Sequence, residues 1–323
     1  MKSLSGVPVA VILAAPLMLL LVFGPGSILA AEPSTPALEL VVLGSGGPGA
    51  AGRAASSYLV LIDGVARILV DAGPGSFARL GEAKISVADT DTVLLTHLHI
   101  DHAGELPGLF KARAVSATGP SVFDVWGPTG SPARDQDAYF PSTSRLMQLL
   151  FGAKGAYAYL RDFSSPMTIH AHDIPAPIEK TRTPAVPQPI LKRGDVSMTA
   201  IAGHHGDAPS VIYRIEYRGR SVTFSGDIDA QGLPALRRIA KGTGLLIFNS
   251  VVLDPPGSPP ILYGLHTPPH AIGELARDAG VHGLLLSHIS PAIDANRDAV
   301  LASIRQSYAG PLTIAKDGQR LQP

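Results

Sequence analysis

Short apolar runs recur along the chain, separated by glycine, proline and charged residues. Most of these runs are rich in Val, Ile and Leu and too short for helices, which is typical of buried strands. Asp63-Gly64 and Arg218-Gly219-Arg220 each lie between two such runs and predict hairpin turns. The predicted strands are Leu38–Leu43, Ser57–Ile62, Ala66–Val70, Asp91–Leu95, Val196–Ile201, Val211–Tyr217, Ser221–Phe224, Leu245–Phe248 and Gly283–Ser287.

Helical patterns occur between these strands. One helix is predicted near Ser76–Glu82. Another begins where Thr267 can act as the cap and Pro268 as the first helical residue, and it ends before Gly280. Two halves that each carry a hairpin, with helices between their strands, predict an α/β sandwich. In such a fold two sheets pack face to face, and helices cover them on the outside.

Residues 111–195 interrupt this pattern. The segment is rich in Pro, Gly and Ser, as in Trp126-Gly127-Pro128 and Pro184–Pro189. We therefore expect a long irregular insertion, which forms either a lid or substrate wall or simple surface decoration. His170 and His172 lie in it without strand context and are expected at the surface.

The N-terminus has the pattern of an export signal. After Lys2 no charged residue occurs before Glu32, and Val7–Phe23 is apolar apart from glycine and proline. Small residues at Ser27–Ala31 end this run. The pattern predicts a secretory signal peptide over residues 1–31, cleaved near its end.

A linker at 32–37 and one domain at 38–320 follow the signal. The mature protein is then expected to be exported, to the periplasm of a bacterium, without a stable membrane partner. An uncleaved membrane anchor is the alternative, because the uncharged N-terminal run is long enough to span a bilayer.

Composition narrows the classes of function. Hydrophobic residues make up 46% of the chain and charged residues 16%, as in a globular protein with a large core. The 26 basic residues balance the 26 acidic ones, so nucleic acid is not an expected partner. The chain has no cysteine, which excludes disulfides and thiolate ligands.

The segment Thr96–His102 concentrates the candidate chemistry, because it places three histidines and an aspartate directly after a predicted strand. His97 and His99 are two residues apart, so both side chains are expected on one side of the strand end. Asp101 and His102 follow in the next turn. Imidazole and carboxylate ligands favour zinc, with iron or manganese as alternatives. A histidine-rich surface turn is the competing interpretation.

Further imidazoles and carboxylates stand where other predicted strands end. They occur in Gly203-His204-His205-Gly206, Ser225-Gly226-Asp227 and Ser287-His288. Two metal ions need more donors than the first segment supplies, and these positions can provide them.

Over residues 38–315 the chain resembles the metallo-β-lactamase fold superfamily, and within it the branch of ribonuclease Z and arylsulfatase-like enzymes. The resemblance implies an αββα sandwich with two zinc ions. It also implies that His97, His99 and His205 hold one ion, Asp101, His102 and His288 hold the other, and Asp227 bridges both. The motifs that carry it are Val42-Leu43-Gly44-Ser45-Gly46-Gly47-Pro48, Leu69-Val70-Asp71-Ala72-Gly73-Pro74-Gly75, Thr96–Gly104, Ser225-Gly226-Asp227 and Leu286-Ser287-His288.

Several roles rest on the resemblance. His205 is preferred to His204 as the third ligand, because it stands four residues before Pro209. Asp101 is expected to be catalytic as well as a ligand, and His266 is expected to protonate the leaving group.

Other roles stay open. Asp71 either accepts an imidazole N–H or only forms a turn. Ribonuclease Z proper has a His-Glu-Ala-Thr-like segment, whereas this chain reads Phe248-Asn249-Ser250. This difference argues against a role in tRNA processing.

We therefore expect an exported dinuclear hydrolase in which a metal-activated water attacks a phosphodiester or sulfate ester of a small molecule. A lactonase or other acyl hydrolase of the same fold is the alternative enzyme. A non-catalytic metal-binding scaffold protein is the alternative from another class. The sequence leaves the oligomeric state open, a homodimer included.

Overall fold

The first strand, β1 (Leu38–Gly44), is buried along its whole length. Leu40 and Val42 pack into one apolar core, whereas Val41 and Leu43 pack into another on the opposite face. Successive side chains of a strand point to opposite faces, so the apolar run Leu40–Leu43 needs a covering layer on both sides.

The computed structural model describes residues 35–49, 51–131, 139–177 and 185–323, and residues 35–323 form one unit. The further strands are β2 (Ser57–Ile62), β3 (Val65–Ala72), β4 (Thr92–Leu94), β5 (Ser121–Pro128), β6 (Met167–Ile174), β7 (Gln188–Arg193), β8 (Val196–Ala202), β9 (Val211–Tyr217), β10 (Arg220–Phe224), β11 (Leu245–Asn249), β12 (Leu284–Ser287), β13 (Leu312–Ile314) and β14 (Arg320–Leu321). The helices are α1 (Ser76–Ala83), α2 (Ile100–Ala103), α3 (Leu106–Ser116), α4 (Thr143–Phe151), α5 (Leu233–Ile239), α6 (Pro260–Tyr263), α7 (Pro269–Asp278), α8 (Pro291–Ala295) and α9 (Arg297–Arg305), with a 3-10 helix at Ala158–Asp162.

The strands form two sheets of seven. The first has the order β14-β1-β2-β3-β4-β5-β6, and the second the order β13-β12-β11-β10-β9-β8-β7. In each sheet a block of antiparallel neighbours passes into a block of parallel ones. The two halves of the chain therefore repeat one mixed-sheet pattern.

Three apolar cores hold these layers together. The middle core lies between the sheets and joins residues of both, such as Val60 and Phe224. The second packs the outer face of the first sheet against α1, α3 and α4, and the third packs the second sheet against α5, α7 and α9. The layers thus run helix, sheet, sheet, helix, which confirms the predicted fold class.

This topology gathers the chemistry-bearing residues at one edge of the sandwich. His97 follows β4 of the first sheet, whereas His205, Asp227 and His288 follow β8, β10 and β12 of the second. The ends of these strands meet where the two sheets face each other, so ligands from both halves reach the same place.

The segment 111–195 is not irregular where the structure describes it, which corrects the expectation of a structureless insertion. It contributes β5 and β6 to the first sheet and β7 to the second. β7 is a sheet edge whose apolar residues, Pro189, Ile190 and Leu191, are adjacent and do not alternate with polar ones, so its own sequence does not predict a strand. His170 and His172 accordingly lie on β6, near the Asp124 carboxylate, and not outside a strand.

The start of α7 also differs from expectation. Pro268 is its cap residue and Pro269 its first helical residue, one position later than predicted. Thr267 does not cap the helix, because its hydroxyl donates to the Ile228 carbonyl oxygen 2.9 Å away. That bond fixes the segment just after His266.

The predicted signal peptide lies outside the described residues, and so does the first half of the predicted linker, residues 32–34. Among the helices that the structure describes, none has both the length and the apolar character needed to cross a membrane.

Candidate metal centre

The turn after β4 carries four candidate ligands. The backbone N–H groups of His102 and Ala103 both donate to the His99 carbonyl oxygen, so the chain passes directly into α2. His97 Nε2 and His99 Nδ1 lie 3.1 Å apart, on the same side as the spacing predicts. Asp101 and His102 lie in α2 and are buried. One short turn therefore presents three imidazoles and a carboxylate to the same space.

The structure brings all seven expected ligands together. They fall into four overlapping groups, and within each group the donor atoms lie within 4.8 Å of one another. The groups are His97, His99 and His205; Asp101, His102 and His288; His97, His102 and Asp227; and His205, Asp227 and His266. The first two groups are the triads that the sequence resemblance implies. The fourth group also contains His266, which was expected near the ligands but not among them.

Asp227 lies at the centre of the cluster and is buried. One of its oxygens, Oδ2, faces histidines from both sheets. It lies 3.4 Å from His288 Nε2, 3.7 Å from His102 Nε2 and from His205 Nε2, 3.9 Å from His97 Nε2 and 4.0 Å from His266 Nδ1. Asp227 Oδ2 is thus the atom on which the histidines of both sheets converge.

Asp71 orients His102 by binding its Nδ1, the ring nitrogen that points away from Asp227. Its Oδ2 lies 2.8 Å from His102 Nδ1, which places the Nδ1 proton between them and directs Nε2 towards the cluster. The same carboxylate accepts bonds from the backbone N–H of Thr96 at 2.7 Å and from its hydroxyl at 2.8 Å. Asp71 thus accepts an imidazole N–H, which is the first of the two roles left open by the sequence. Its hydrogen bonds to Thr96 also fix the turn that carries the candidate ligands.

The structure separates the two adjacent histidines of the third segment. His205 donates through Nδ1 to the Leu265 carbonyl oxygen at 2.9 Å, and its Nε2 faces Asp227. His204 instead pairs with Asp229, with Nδ1 2.7 Å from Oδ2, and it belongs to none of the ligand groups found in the described residues. This arrangement agrees with the choice of His205.

Two contacting residues were missed by the sequence reasoning. Thr96 anchors Asp71, and Asn249 donates from Nδ2 to Asp227 Oδ1 at 2.6 Å. Asn249 ends β11, so the strand-end rule that identified Asp227 and His288 could also have identified it. Its residue type gives no signal of its own, because an amide is a weaker metal ligand than imidazole or carboxylate.

A glycine turn makes room for His288. A Cβ atom on Gly47 would lie 2.3 Å from Cε1 of the His288 ring, so only glycine fits there. His288 itself has a φ of 55°, a left-handed conformation that a non-glycine residue adopts at some cost. The Gly44–Gly49 turn therefore contributes to the site by its lack of side chains.

Burial and neighbouring charges set the protonation states. Although burial opposes ionisation, His288 and His102 hold the pKa of Asp227 well below its usual range. Burial lowers the pKa of His97, and His102 lowers it further. Burial also acts to lower the pKa of His102, but Asp71 and Asp227 outweigh it and raise that pKa to about 9. The cluster thus holds an ionised carboxylate among imidazoles.

The residues present fit divalent cations. Three buried imidazole nitrogens have no hydrogen-bond partner within the described part of the chain: His102 Nε2, His266 Nδ1 and His288 Nδ1. A buried polar atom without a partner costs about 1–3 kcal/mol. His102 Nε2 faces Asp101 and Asp227, so a cation placed there would satisfy it. Nitrogen and oxygen donors of this kind suit zinc.

Comparison with known proteins gives the same picture. The family profile of the Metallo-beta-lactamase superfamily matches residues 50–282. Ribonuclease Z of Mycobacterium avium (strain 104) is 29% identical over 294 residues, which cover 88% of this chain and 98% of that protein.

Solved structures share the fold at lower identity. Human tRNase Z, short form, superposes with a TM-score of 0.62 at 19% identity, covering 88% of this chain and 99% of that one. Zn(2+)-bound PqqB from Methylobacterium extorquens superposes with a TM-score of 0.60 at 16% identity, covering 88% and 100%.

Proposed function

This chain belongs to the metallo-beta-lactamase superfamily and is a metal-dependent hydrolase related to ribonuclease Z, and we propose that it hydrolyses phosphodiesters or sulfate esters with two zinc ions. His97, His99 and His205 would hold one ion and Asp101, His102 and His288 the other. Asp227 would bridge them. When bound, the ions supply the Lewis-acid chemistry: they lower the pKa of water towards neutrality and stabilise charge that develops on the ester.

The position of Asp227 Oδ2 carries this proposal. It stands between histidines of both triads, at 3.4 Å from His288 Nε2 and 3.7 Å from His205 Nε2. A site for one ion would not need a carboxylate shared between two sets of ligands. Two adjacent cations are the arrangement that stabilises both the attacking and the leaving oxygen of a displacement.

The protein's own groups move the protons. Burial acts to raise the pKa of Asp101, but the hydrogen bond from His288 and the charges of His102 and His288 together lower it, so Asp101 is ionised and can accept a proton from the attacking water. His266 is buried, and burial lowers its pKa to about 4. Its ring is neutral at neutral pH and presents one N–H, which we assign as a hydrogen-bond donor to the leaving oxygen of the ester, while the proton that Asp101 accepts from the water is the one passed on to that oxygen.

A small ester that carries an apolar group fits the surroundings of the centre. The Phe140 ring lies beside His99, with 5.6 Å between the ring centroids. Ile100 and Tyr139, the chain neighbours of His99 and Phe140, are exposed. Apolar side chains favour aryl or alkyl groups of a substrate over the phosphates of a nucleic acid.

RNA is the second candidate substrate. The observation in its favour is the similarity to ribonuclease Z, which extends over 98% of the Mycobacterium avium protein. Against it stand the balanced charge of the chain and Asn249 at the position of an acidic residue in the His-Glu-Ala-Thr-like segment.

Export is part of the proposal. Residues 1–31 support it through their single basic residue, apolar stretch and small residues before Glu32. Mass analysis of protein from the periplasmic fraction of an expressing bacterium should give a mature chain that begins near Ala31. A full-length chain in the membrane fraction would instead support the uncleaved anchor.

The deciding experiment is a panel of substrates offered to the zinc-loaded mature protein. It contains an aryl phosphodiester, an aryl sulfate, an aryl lactone and a structured RNA. Asp227→Ala serves as the inactive variant, and Asp298→Ala, an exposed aspartate on α9, serves as its matched control. Elemental analysis of the same samples gives the metal content.

We expect about two zinc ions per chain and turnover of the phosphodiester or sulfate ester, lost in Asp227→Ala and kept in Asp298→Ala. Turnover of the lactone alone would replace the proposal with an acyl hydrolase. Cleavage of RNA alone would replace it with a ribonuclease. Metal binding without any turnover would identify a scaffold protein.

A further inference from the structure

Asn249 stands between two of the strand ends that carry ligands. It is the last residue of β11, which runs parallel to β10 on one side and to β12 on the other. Asp227 follows β10, and His288 follows β12. The Asn249 side chain is 5% exposed, so it lies within the packed base of the centre and not on its open side.

The amide of Asn249 binds the central carboxylate. Its Nδ2 lies 2.6 Å from Asp227 Oδ1. With the amide turned the other way, two oxygen atoms that are both hydrogen-bond acceptors would face each other at that distance. The amide must therefore donate. The backbone N–H of Asn249 donates to Ser225 Oγ at 3.2 Å, which fixes the residue from a second side.

Because of this contact, the two oxygens of Asp227 have different neighbours. Oδ1 is occupied by the amide, whereas Oδ2 lies 3.4–4.0 Å from nitrogens of five histidines. We propose that Asn249 is a positioning residue, which holds Asp227 Oδ1 away from the metals so that Oδ2 alone bridges them. The proposal rests on the proposed dinuclear site.

Loss of the amide should free Oδ1. A buried carboxylate oxygen without a donor is costly, and it can recover a partner by turning towards a cation. Asp227 would then chelate one ion with both oxygens, and the other ion would lose part of its ligand set. The expected consequence is a weaker second site and not a general loss of folding.

Asn249→Leu removes the donor while it keeps the branched shape and the number of side-chain heavy atoms. Asn249→Ser keeps a shorter donor, and Ser250→Ala is the matched control. Ser250 is the next residue, equally buried, and its hydroxyl has no hydrogen-bond partner in the described residues. Urea unfolding of the metal-free proteins shows which variants fold normally.

Zinc titration against a competing chelator is the main measurement. The wild type and Ser250→Ala should bind two equivalents. In Asn249→Leu the second equivalent should bind about 10–100-fold more weakly, the usual effect of removing a group that orients a ligand. Asn249→Ser should fall between them.

Two further readouts separate positioning from a merely structural role. In cobalt-substituted protein, the visible absorption should change in Asn249→Leu, because the coordination of one ion changes. With the best substrate of the panel, kcat should fall about ten-fold or more while KM stays nearly constant.

The proposal is overturned if the wild type binds two zinc ions and Asn249→Leu binds both equally well with an unaltered cobalt spectrum. In that case the proposed function stands. A wild type that binds fewer than two ions overturns both. If Asn249→Leu fails to fold, zinc titration of Asn249→Ser takes its place as the test. Wild-type affinity for the second zinc equivalent in Asn249→Ser would then count against the proposal.

Discussion

Asp71→Asn should weaken metal binding without disturbing the fold around it. Asp71 touches no expected substrate position, but it accepts three hydrogen bonds, two from Thr96 and one from His102. Its φ of 54° lies in the left-handed region, which asparagine adopts about as readily as aspartate. The substitution therefore changes charge and hydrogen bonding while it leaves the backbone in place.

The structure indicates how the damage arises. An asparagine can keep its oxygen on the Thr96 N–H, and its NH₂ group then faces His102 Nδ1. Two donors cannot pair, so His102 must carry its proton on Nε2, the nitrogen that faces Asp101 and Asp227. A protonated Nε2 cannot bind a cation. Loss of such a partner typically weakens metal affinity about 10–100-fold, equal to about 1.4–2.8 kcal/mol.

The assay is competition for zinc between the protein and a chromophoric chelator, at one pH near neutrality. Urea unfolding of metal-free samples separates the direct loss of stability, about 1.5–3 kcal/mol for hydrogen bonds to a buried charge, from the loss in metal affinity. Wild-type zinc affinity in Asp71→Asn would show that the tautomer of His102 does not depend on Asp71, and the reasoning would then be wrong.

Three further outcomes are expected. His205→Ala should lose metal and activity, whereas His204→Ala should keep its metal, as elemental analysis will show; the opposite result would move the third ligand by one residue. A His266→Ala variant should keep its metal and lower kcat by roughly 10²–10³-fold for esters with poor leaving groups, and by less for nitrophenyl esters; an equal loss across leaving groups would limit His266 to binding. Hydrogen bonding from Arg53 lowers the pKa of Asp294 to about 2. Asp294→Asn should therefore destabilise the metal-free protein by about 2 kcal/mol above pH 5. Urea unfolding should show this difference in stability shrinking as the pH falls from about 4 to 2, because the wild-type carboxylate is then protonated.

The layers could be predicted from the sequence because they depend on short local patterns, whereas the ligand triads were implied by the resemblance. The apolar run Leu40–Leu43 in β1 already requires a layer on each face, and the histidine cluster after β4 already indicates a cation site. Segments whose identity depends on distant partners were harder. β6 joins the first sheet because β5 provides its hydrogen bonds, and its own residues, with His170 and His172 among them, do not show which strand it pairs with.

The same limit applies inside the site. That Asn249 contacts Asp227 depends on the parallel pairing of β10 with β11, which no spacing along the chain displays. The pairing of His204 with Asp229 likewise depends on the approach of two turns. Local chemistry identified the ligands, whereas the groups that orient them appeared only with the fold.

The division of the ligands between two sheets also has a consequence for the order of folding. Asp101 and His288 meet across a sequence separation of 187 residues, so the second triad cannot exist until the two halves have docked. Contacts between such distant residues form late, because a long loop must close first. Under the proposed dinuclear site, capture of the second cation would therefore be a late event of folding, and it would fasten the two halves to each other. In a chain without cysteine, such a metal pair would take the place of a covalent cross-link between the halves.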